Sequence, residues 1–204
     1  MNESSTQAAE LISIPDGELH YYPHAFTVGE SAAFLDSLRD NINWTYRELM
    51  LYGRRIMMPR LIAWYADPGV TYEYSGQSSP HNDWTPELLA IKTRVETLSR
   101  HLFNGALLNY YRDGNDSMSW HSDDEKSLGR NPVIASVSFG ATRVFKLRHR
   151  HDRSIKSMSL PLTTGSLLIM RGETQHHWQH QLPKTRKETG ERINITFRRI
   201  QPHM

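Results

Sequence analysis

The second half of the chain sets the fold. From Gly105 onward it breaks into short runs, "ALLNYYR", "VIASVSFG", "TRVFKLRHR", "SMSLPL", "GSLLIMRG" and "RINITFRRI", separated by Gly, Pro and Asp turns. Strands this short and this closely spaced argue for an all-β barrel or jelly roll rather than a parallel sheet. Ahead of them, "LISIPDGELHYYPHAF" reads as short strands turning at Pro15–Gly17. A helix then begins at Thr27, whose pairing with Glu30 has the spacing of a capping box, with Phe34, Leu35 and Leu38 as its buried stripe. Thr85 and Pro86 open a second helix, with Leu88, Ile91, Val95, Leu98 and Leu102 on one face and an end at Asn104–Gly105. The expected fold class is α+β, mainly β: two helices covering one side of a β-sandwich.

Composition narrows the chemistry. With no cysteine, disulfides, thiolate ligands and cysteine nucleophiles are excluded, so a metal must be held by His, Asp or Glu, which favours Fe(II), Mn or Zn. Residues 1–102 hold 8 Lys/Arg and 13 Asp/Glu, net −5, while residues 103–204 hold 16 and 9, net +7. A basic half in a near-neutral chain suits either a polyanionic partner or a solubilising surface. The opening "MNESSTQAAE" is polar and acidic, unlike a signal or transit peptide, and no apolar run approaches a membrane span. A cytoplasmic protein with no membrane partner is expected, with residues 1–10 disordered.

Three patterns carry chemistry. In "SWHSDDEKSLG", His121 and Asp123 stand two apart, a spacing that puts both side chains on one face of a strand. Alone, such a triplet is usually a surface accident, and it needs a third ligand. "ETQHHWQHQLP" offers His176, His177 and His180; if it is extended, His176 and His180 share a face, and spacing does not choose between them. Two His and one carboxylate bound facially leave open positions on Fe(II). In "RINITFR", Arg192, Asn194, Thr196 and Arg198 alternate with Ile193, Ile195 and Phe197. By alternation alone this reads as an edge strand with a wet face. An inward face would instead need an anion for its two guanidiniums, such as a dicarboxylate gripped bidentately. Asn109 and Tyr111 likewise share a face of "LLNYYR".

In order, "NYYRDG", "WHSDDE", "PVIASVSFGATRVF", "LPLTTGSLLIM", "HWQHQLP" and "RINITFR" resemble the AlkB family of Fe(II)- and 2-oxoglutarate-dependent dioxygenases, and most closely its animal nuclear DNA-repair members, over roughly residues 50–200. The resemblance implies a double-stranded β-helix, or jelly roll, at 105–200 within a single catalytic domain at 11–204, with a nucleotide-recognition lid at 45–85. It implies Fe(II) on His121, Asp123 and His180, selecting His180 because the family ligand is the His just before "LP". It implies 2-oxoglutarate on Asn109, Tyr111, Arg192, Asn194 and Arg198, with dioxygen as the second co-substrate. The implied reaction oxidises 2-oxoglutarate to succinate and hydroxylates an N-methyl group of 1-methyladenine or 3-methylcytosine in DNA, releasing formaldehyde.

Substrate contacts are implied at Asp124 and Glu125, whose charge suits a cationic methylated base, and at Tyr72, Tyr74 and Ser75 in the lid, where aromatic faces stack a flipped base. "LYGRRIMMPR" is similar to the hairpin that probes a duplex. Tyr52 stands where family members carry Phe, and Arg54, Arg55 and Arg60, with no acid nearby in the sequence, suit phosphate contact. "RVFKLRHRHDRSIK" is a second basic run suited to gripping a backbone. A monomer acting on methylated DNA is expected. The alternatives are the same chemistry on RNA, a non-catalytic nucleic-acid binder, or a β-barrel metal protein that does not use 2-oxoglutarate.

Overall fold

The computed structural model describes residues 8–51, 54–70, 72–74, 77–79 and 81–201, with only the backbone described at 49–51, 54, 72–74 and 77–79. The chain opens with the antiparallel pair β1 (Glu10–Ile14) and β2 (Gly17–Tyr22), turned through Asp16 at φ 51, a left-handed conformation that Asp tolerates. β1 starts inside the stretch expected to be disordered: Glu10 pairs with Tyr21, and Ala9 packs on the core. α1 (Val28–Asn41) follows, then β3 (Glu48–Leu51) paired with β4 (Arg54–Met57), β5 (Leu61–Ala66), the short pair β6 (Tyr72–Tyr74) and β7 (Gln77–Ser79), and α2 (Pro86–Ser99). The rest is β8 (Gly105–Tyr111), β9 (Met118–His121), β10 (Ile134–Gly140), β11 (Arg143–His149), β12 (Met158–Leu162), β13 (Ser166–Arg171), the single turn α3 (Thr174–His177), β14 (Trp178–Leu182) and β15 (Arg192–Arg198).

These strands form a seven-stranded sheet in the order β1-β2-β13-β10-β15-β8-β5 and a four-stranded sheet in the order β12-β11-β14-β9. Every pairing is antiparallel, and the two sheets are the walls of a jelly roll. Strand alternation divides the apolar residues between two cores. Ile193, Ile195 and Phe197 of β15 join Val137 and Leu108 against Leu38 of α1 and Leu88, Ile91 and Val95 of α2. Leu107, Ile134 and Leu168 of the large sheet turn the other way and meet Leu147 and Trp178 of the small one. Both long helices therefore cover the outer face of the large sheet. The polar residues of β15 go between the sheets, and β15 is no edge: it lies between β10 and β8, and all seven of its residues are buried. Gly140 ends β10 at φ 89, where a Cβ would sit 2.4 Å from the Glu191 carbonyl oxygen; only glycine lets the chain leaving β10 pass the start of β15 this closely.

Two boundaries differ from the sequence expectation. α2 stops at Ser99 because Arg100 turns left-handed at φ 50, and the Glu96 carboxylate accepts the Phe103 amide, 2.8 Å. The chain thereby reaches Gly105 in strand conformation, and Leu102 is left 64% exposed instead of on a buried helix face. "TQHHWQHQL" is not extended throughout, since α3 takes 174–177 and β14 begins at Trp178. Among the described residues, no helix is long and apolar enough to cross a membrane.

α1 has the capping box read from its sequence. The Glu30 amide donates to Thr27 Oγ1 and the Glu30 carboxylate accepts from the Thr27 amide, 2.8 Å. That carboxylate also pairs with Arg94 of α2 at 2.8 Å, fastening the two helices. The Arg94 guanidinium and the Thr27 amide hold the Glu30 carboxyl down at about 2 against an ordinary 4.5. A carboxyl depressed on folding adds stability above its unfolded value and loses it as the pH falls toward the folded one. Both side chains are about a third exposed or more, so screening keeps the sum near that of a cap and a surface pair. Glu30→Gln is therefore expected to cost about 1 kcal/mol at pH 7. The gap between wild-type and variant melting temperatures should narrow steadily from pH 5 to pH 3.

Candidate functional site

The two sheets bring the polar residues of the sequence motifs to one cavity. His121 ends β9 and pairs across the ladder with His180 of β14. Asp123 lies two residues beyond the strand, yet its carboxylate still joins the two rings. Ligand atoms of His121, Asp123 and His180 all lie within 4.8 Å of one another, and the imidazole centroids are 4.2 Å apart. Asp123 and His180 are 2% and 4% exposed. One Asp123 oxygen accepts from Arg198 Nη2, and the other faces His180 Nε2 at 3.6 Å.

Burial pushes the Asp123 carboxyl up, but Arg198, His180 and His121 outweigh it and hold it at about 2. Burial and the neighbouring His121 push His180 down to about 3, against the pull of Asp123. The triad at neutral pH is thus one carboxylate and two neutral imidazoles, the protonation that a metal ion requires. The His121 tautomer fits as well. Its Nδ1 lies 2.9 Å from the Ser119 carbonyl oxygen, which can only accept, so Nδ1 carries the proton and Nε2 offers a lone pair.

A second His, His, Asp cluster differs in this respect. Asp16, His149 and His177 also gather within 4.8 Å. Here the Asp152 amide donates to His149 Nδ1, 2.9 Å, so that ring carries its proton on Nε2, which faces the Asp16 carboxylate at 3.4 Å. His149 has no lone pair to offer the cluster and acts as a strut between the β1–β2 turn and the end of β11. His176 is bound to the Arg130 carbonyl and Asn131, away from the cavity.

The inner face of the large sheet supplies the cations. Arg192 is 2% exposed, donates from Nη2 to Ser138 at 2.9 Å, and lies 5.2 Å from the Tyr111 ring centroid. Burial pushes it down to about 10, with Tyr111 opposing, and it remains cationic at neutral pH. Its Nε has no hydrogen-bond partner among the described residues. A buried cation with an idle donor is costly unless an anion occupies the space it faces. Arg192, Arg198, Tyr111, Asn194 and Thr196 line the same cavity as the triad, closed on other sides by Phe145 and Leu182.

Asn194 is committed to β10, its amide donating to Ser136 Oγ and the Val137 carbonyl, both at 2.8 Å. Asn109 is set back from the cavity wall; its Oδ1 accepts from Arg60 Nε at 2.7 Å, and its Nδ2 has no partner among the described residues. Sequence reasoning missed Ser136 and Ser138. Their signal is the alternation of "VIASVSFG", which puts both hydroxyls on the inner face.

The expected substrate residues divide. Asp124 pairs with Arg150 at 2.7 Å, and Glu125 precedes the 3-10 turn at Lys126–Leu128. Tyr72 and Tyr74 lie in β6, where only the backbone is described, as it is at Arg54 in β4; Tyr52 and Ser75 lie outside the described residues. Arg55 is exposed but does have an acid nearby, Glu48 across the hairpin at 3.9 Å.

Arg60 is a correction. It is 4% exposed, turned inward, and binds Asn109 and the Ser117 carbonyl, so it has no reach to a phosphate. The lack of an acid near it in sequence is misleading because neutral oxygens satisfy this guanidinium. Arg60→Met should cost about 1.5–3 kcal/mol, the range for hydrogen bonds that involve a charged group, while Arg55→Ala should stay within about 0.5 kcal/mol. Thermal unfolding of the two variants checks the assignment, and equal effects would contradict it.

The site's geometry has counterparts in known proteins. Residues 18–198 match the family model described as the 2OG-Fe(II) oxygenase superfamily. The chain is 40% identical over 189 residues to mouse "Alpha-ketoglutarate-dependent dioxygenase alkB homolog 3", covering 89% of this chain and 65% of that one. It is 35% identical over 225 residues to "DNA oxidative demethylase ALKBH2" of Arabidopsis thaliana, covering 98% and 72%. The chain thus spans a little under two thirds of the alkB homolog 3 proteins it matches. Among solved structures, "The structure of OsALKBH1" superposes with a TM-score of 0.63 at 16% identity, covering 93% of this chain and 100% of that one, a likeness of fold. A family model over most of the chain and relatives of this identity place it: the chain belongs to the AlkB family of the 2OG-Fe(II) oxygenase superfamily.

Proposed function

We propose that this chain is an Fe(II)- and 2-oxoglutarate-dependent dioxygenase that removes N-methyl groups from 1-methyladenine and 3-methylcytosine in DNA. The observation that carries the reading is the meeting, in one cavity, of a correctly protonated His, Asp, His face with a buried Arg192 whose Nε is idle. His121, Asp123 and His180 would hold the iron, which with 2-oxoglutarate and dioxygen supplies an oxidant strong enough to hydroxylate a methyl C–H bond. Arg192 binds the distal carboxylate of the co-substrate beside Tyr111. Arg198 holds one oxygen of Asp123 and leaves the other for the metal. Phe145 stacks on the His180 ring at 5.2 Å and keeps that side of the cavity apolar.

DNA is favoured over RNA by the relatives named DNA oxidative demethylases. Glu125 and Asp124 follow the iron-binding aspartate, and their negative charge suits a base that methylation makes cationic, with Asp124 paired to Arg150 in the free protein. Arg148, Arg150, Arg153 and Lys156 line a groove formed by the end of β11 and the segment leading to β12, and Arg148 lies 4.3 Å from the Trp120 ring centroid. The charge of this groove suits a phosphate backbone, which the protein would grip as a monomer.

Formaldehyde release from oligonucleotides carrying 1-methyladenine tests the reaction, with single-stranded DNA, duplex DNA and RNA in parallel. Asp123→Ala should abolish turnover. Arg192→Met should raise the KM for 2-oxoglutarate by roughly 30-fold or more, as removal of a buried charge partner costs about 2–5 kcal/mol. Faster turnover on RNA would move the substrate; binding without turnover on any arm would leave a nucleic-acid binder. The groove has its own readout. Replacing Arg148, Arg153 and Lys156 by Ala should flatten the dependence of log K on log salt, by about 0.9 for each duplex phosphate no longer neutralised. An unchanged slope would take the backbone elsewhere.

A further inference from the structure

β9 ends at His121, and residues 122–125 continue without regular structure, so the sheet does not itself fix Asp123. The Asp123 amide donates instead to the side-chain oxygen of Gln175, 2.8 Å, in a fully buried bond between residues 52 positions apart. Gln175 is 1% exposed and belongs to α3, the turn that leads directly into the strand of His180. Its amide nitrogen meets only a weak acceptor in the Met170 sulfur, 3.4 Å, so the site is built around the oxygen. Two further residues join the same segments. Ser122 Oγ donates to the Trp178 carbonyl at 2.9 Å, and Arg150 Nη1 reaches both the Gln175 carbonyl, 3.3 Å, and Asp124 Oδ2, 2.7 Å.

We infer that Gln175 is a positioning residue for the metal ligands, a reading that rests on the iron site proposed above. Arg198 and Gln175 hold Asp123 from opposite ends. Arg198 takes a carboxylate oxygen, and Gln175 takes the amide of the same residue. With both ends tied, the remaining oxygen keeps its place opposite His180. The same glutamine belongs to the turn that starts β14, so its side chain ties the backbone of the metal-ligating aspartate itself to the His180 strand, beside the Ser122 and Arg150 bonds. Tolerances of about half an ångström separate a working metal site from a loose one.

The test uses apo protein titrated with Co(II) and followed by its visible d–d bands, which report ligand geometry without turnover. Gln175→Met keeps the length and removes the oxygen. It should weaken Co(II) binding by roughly 10–100-fold, the usual effect of removing a partner that orients a ligand, and change the band shape. Gln175→Glu restores an oxygen at the same reach and should recover most of the affinity and the wild-type spectrum. Wild-type affinity and spectrum in Gln175→Met would overturn the inference. Asp123→Ala separates the two readings: if it too binds Co(II) like the wild type, the metal site itself is wrong. Should Gln175→Met not fold, amide exchange in the wild-type apo protein decides. The Asp123 amide is expected to be protected, and exchange at the rate of an exposed amide overturns the role of Gln175.

Discussion

Four arginines, Arg60, Arg143, Arg192 and Arg198, are buried to 4% exposure or less. A guanidinium withdrawn from water is tolerated only where its N–H groups meet acceptors, so each of these side chains dictates what surrounds it. Arg143 gathers the carbonyls of Asp113, Asp116 and Pro183 at 2.8–3.0 Å and ties the loop after β8 to the loop after β14. Arg60 holds the side chain of Asn109 and the Ser117 carbonyl, and Arg198 holds Asp123. Arg192 donates to Ser138, lies against the Tyr111 ring, and keeps an Nε with no hydrogen-bond partner among the described residues. Arg60 and Arg143 tie strands and loops together, while Arg192 and Arg198 line the cavity itself.

The fold was legible where side-chain period met burial. The alternation in "RINITFR" and "VIASVSFG" marks two faces, and the spacing Thr27, Glu30 marks a helix start that the structure reproduces bond for bond. What alternation cannot say is which face is wet. Read alone, β15 suggests an edge strand, because a polar face with two arginines ordinarily looks outward. It is buried between β10 and β8 because its polar face looks into a cavity instead of solvent. Arg60 failed for a related reason. A backbone carbonyl and a neutral carboxamide satisfy it, and neither leaves a mark in the sequence that a missing acid could be weighed against. The end of α2 was misplaced because apolar period continues through Leu102, while the turn at Arg100 depends on Glu96 reaching the Phe103 amide, a tertiary detail.

The two His, His, Asp clusters show how far residue type falls short of chemistry. Both bring the same side chains within the same radius. A carbonyl beside Nδ1 in His121 and an amide beside Nδ1 in His149 give opposite tautomers, and only the first turns a lone pair toward its carboxylate. The difference is set by backbone groups at Ser119 and Asp152, within three residues of each ring. It follows from where β9 and β11 end, which no spacing rule predicts.

Charge links the two ligands proposed for the cavity. Asp123 contributes one negative charge, and Arg192 and Arg198 contribute two positive ones, with His180 neutral at physiological pH. The fixed charges therefore sum to about one positive unit in a space of low effective dielectric, where like charges repel strongly. A divalent cation entering alone raises that excess, and a dicarboxylate entering alone inverts it. Together they return the cavity to a single positive charge while the anion covers the idle Arg192 donor. The same charge balance explains why Arg198 sits on the ligand carboxylate: it keeps Asp123 ionised at all ordinary pH, so the metal face is preserved before either ligand arrives.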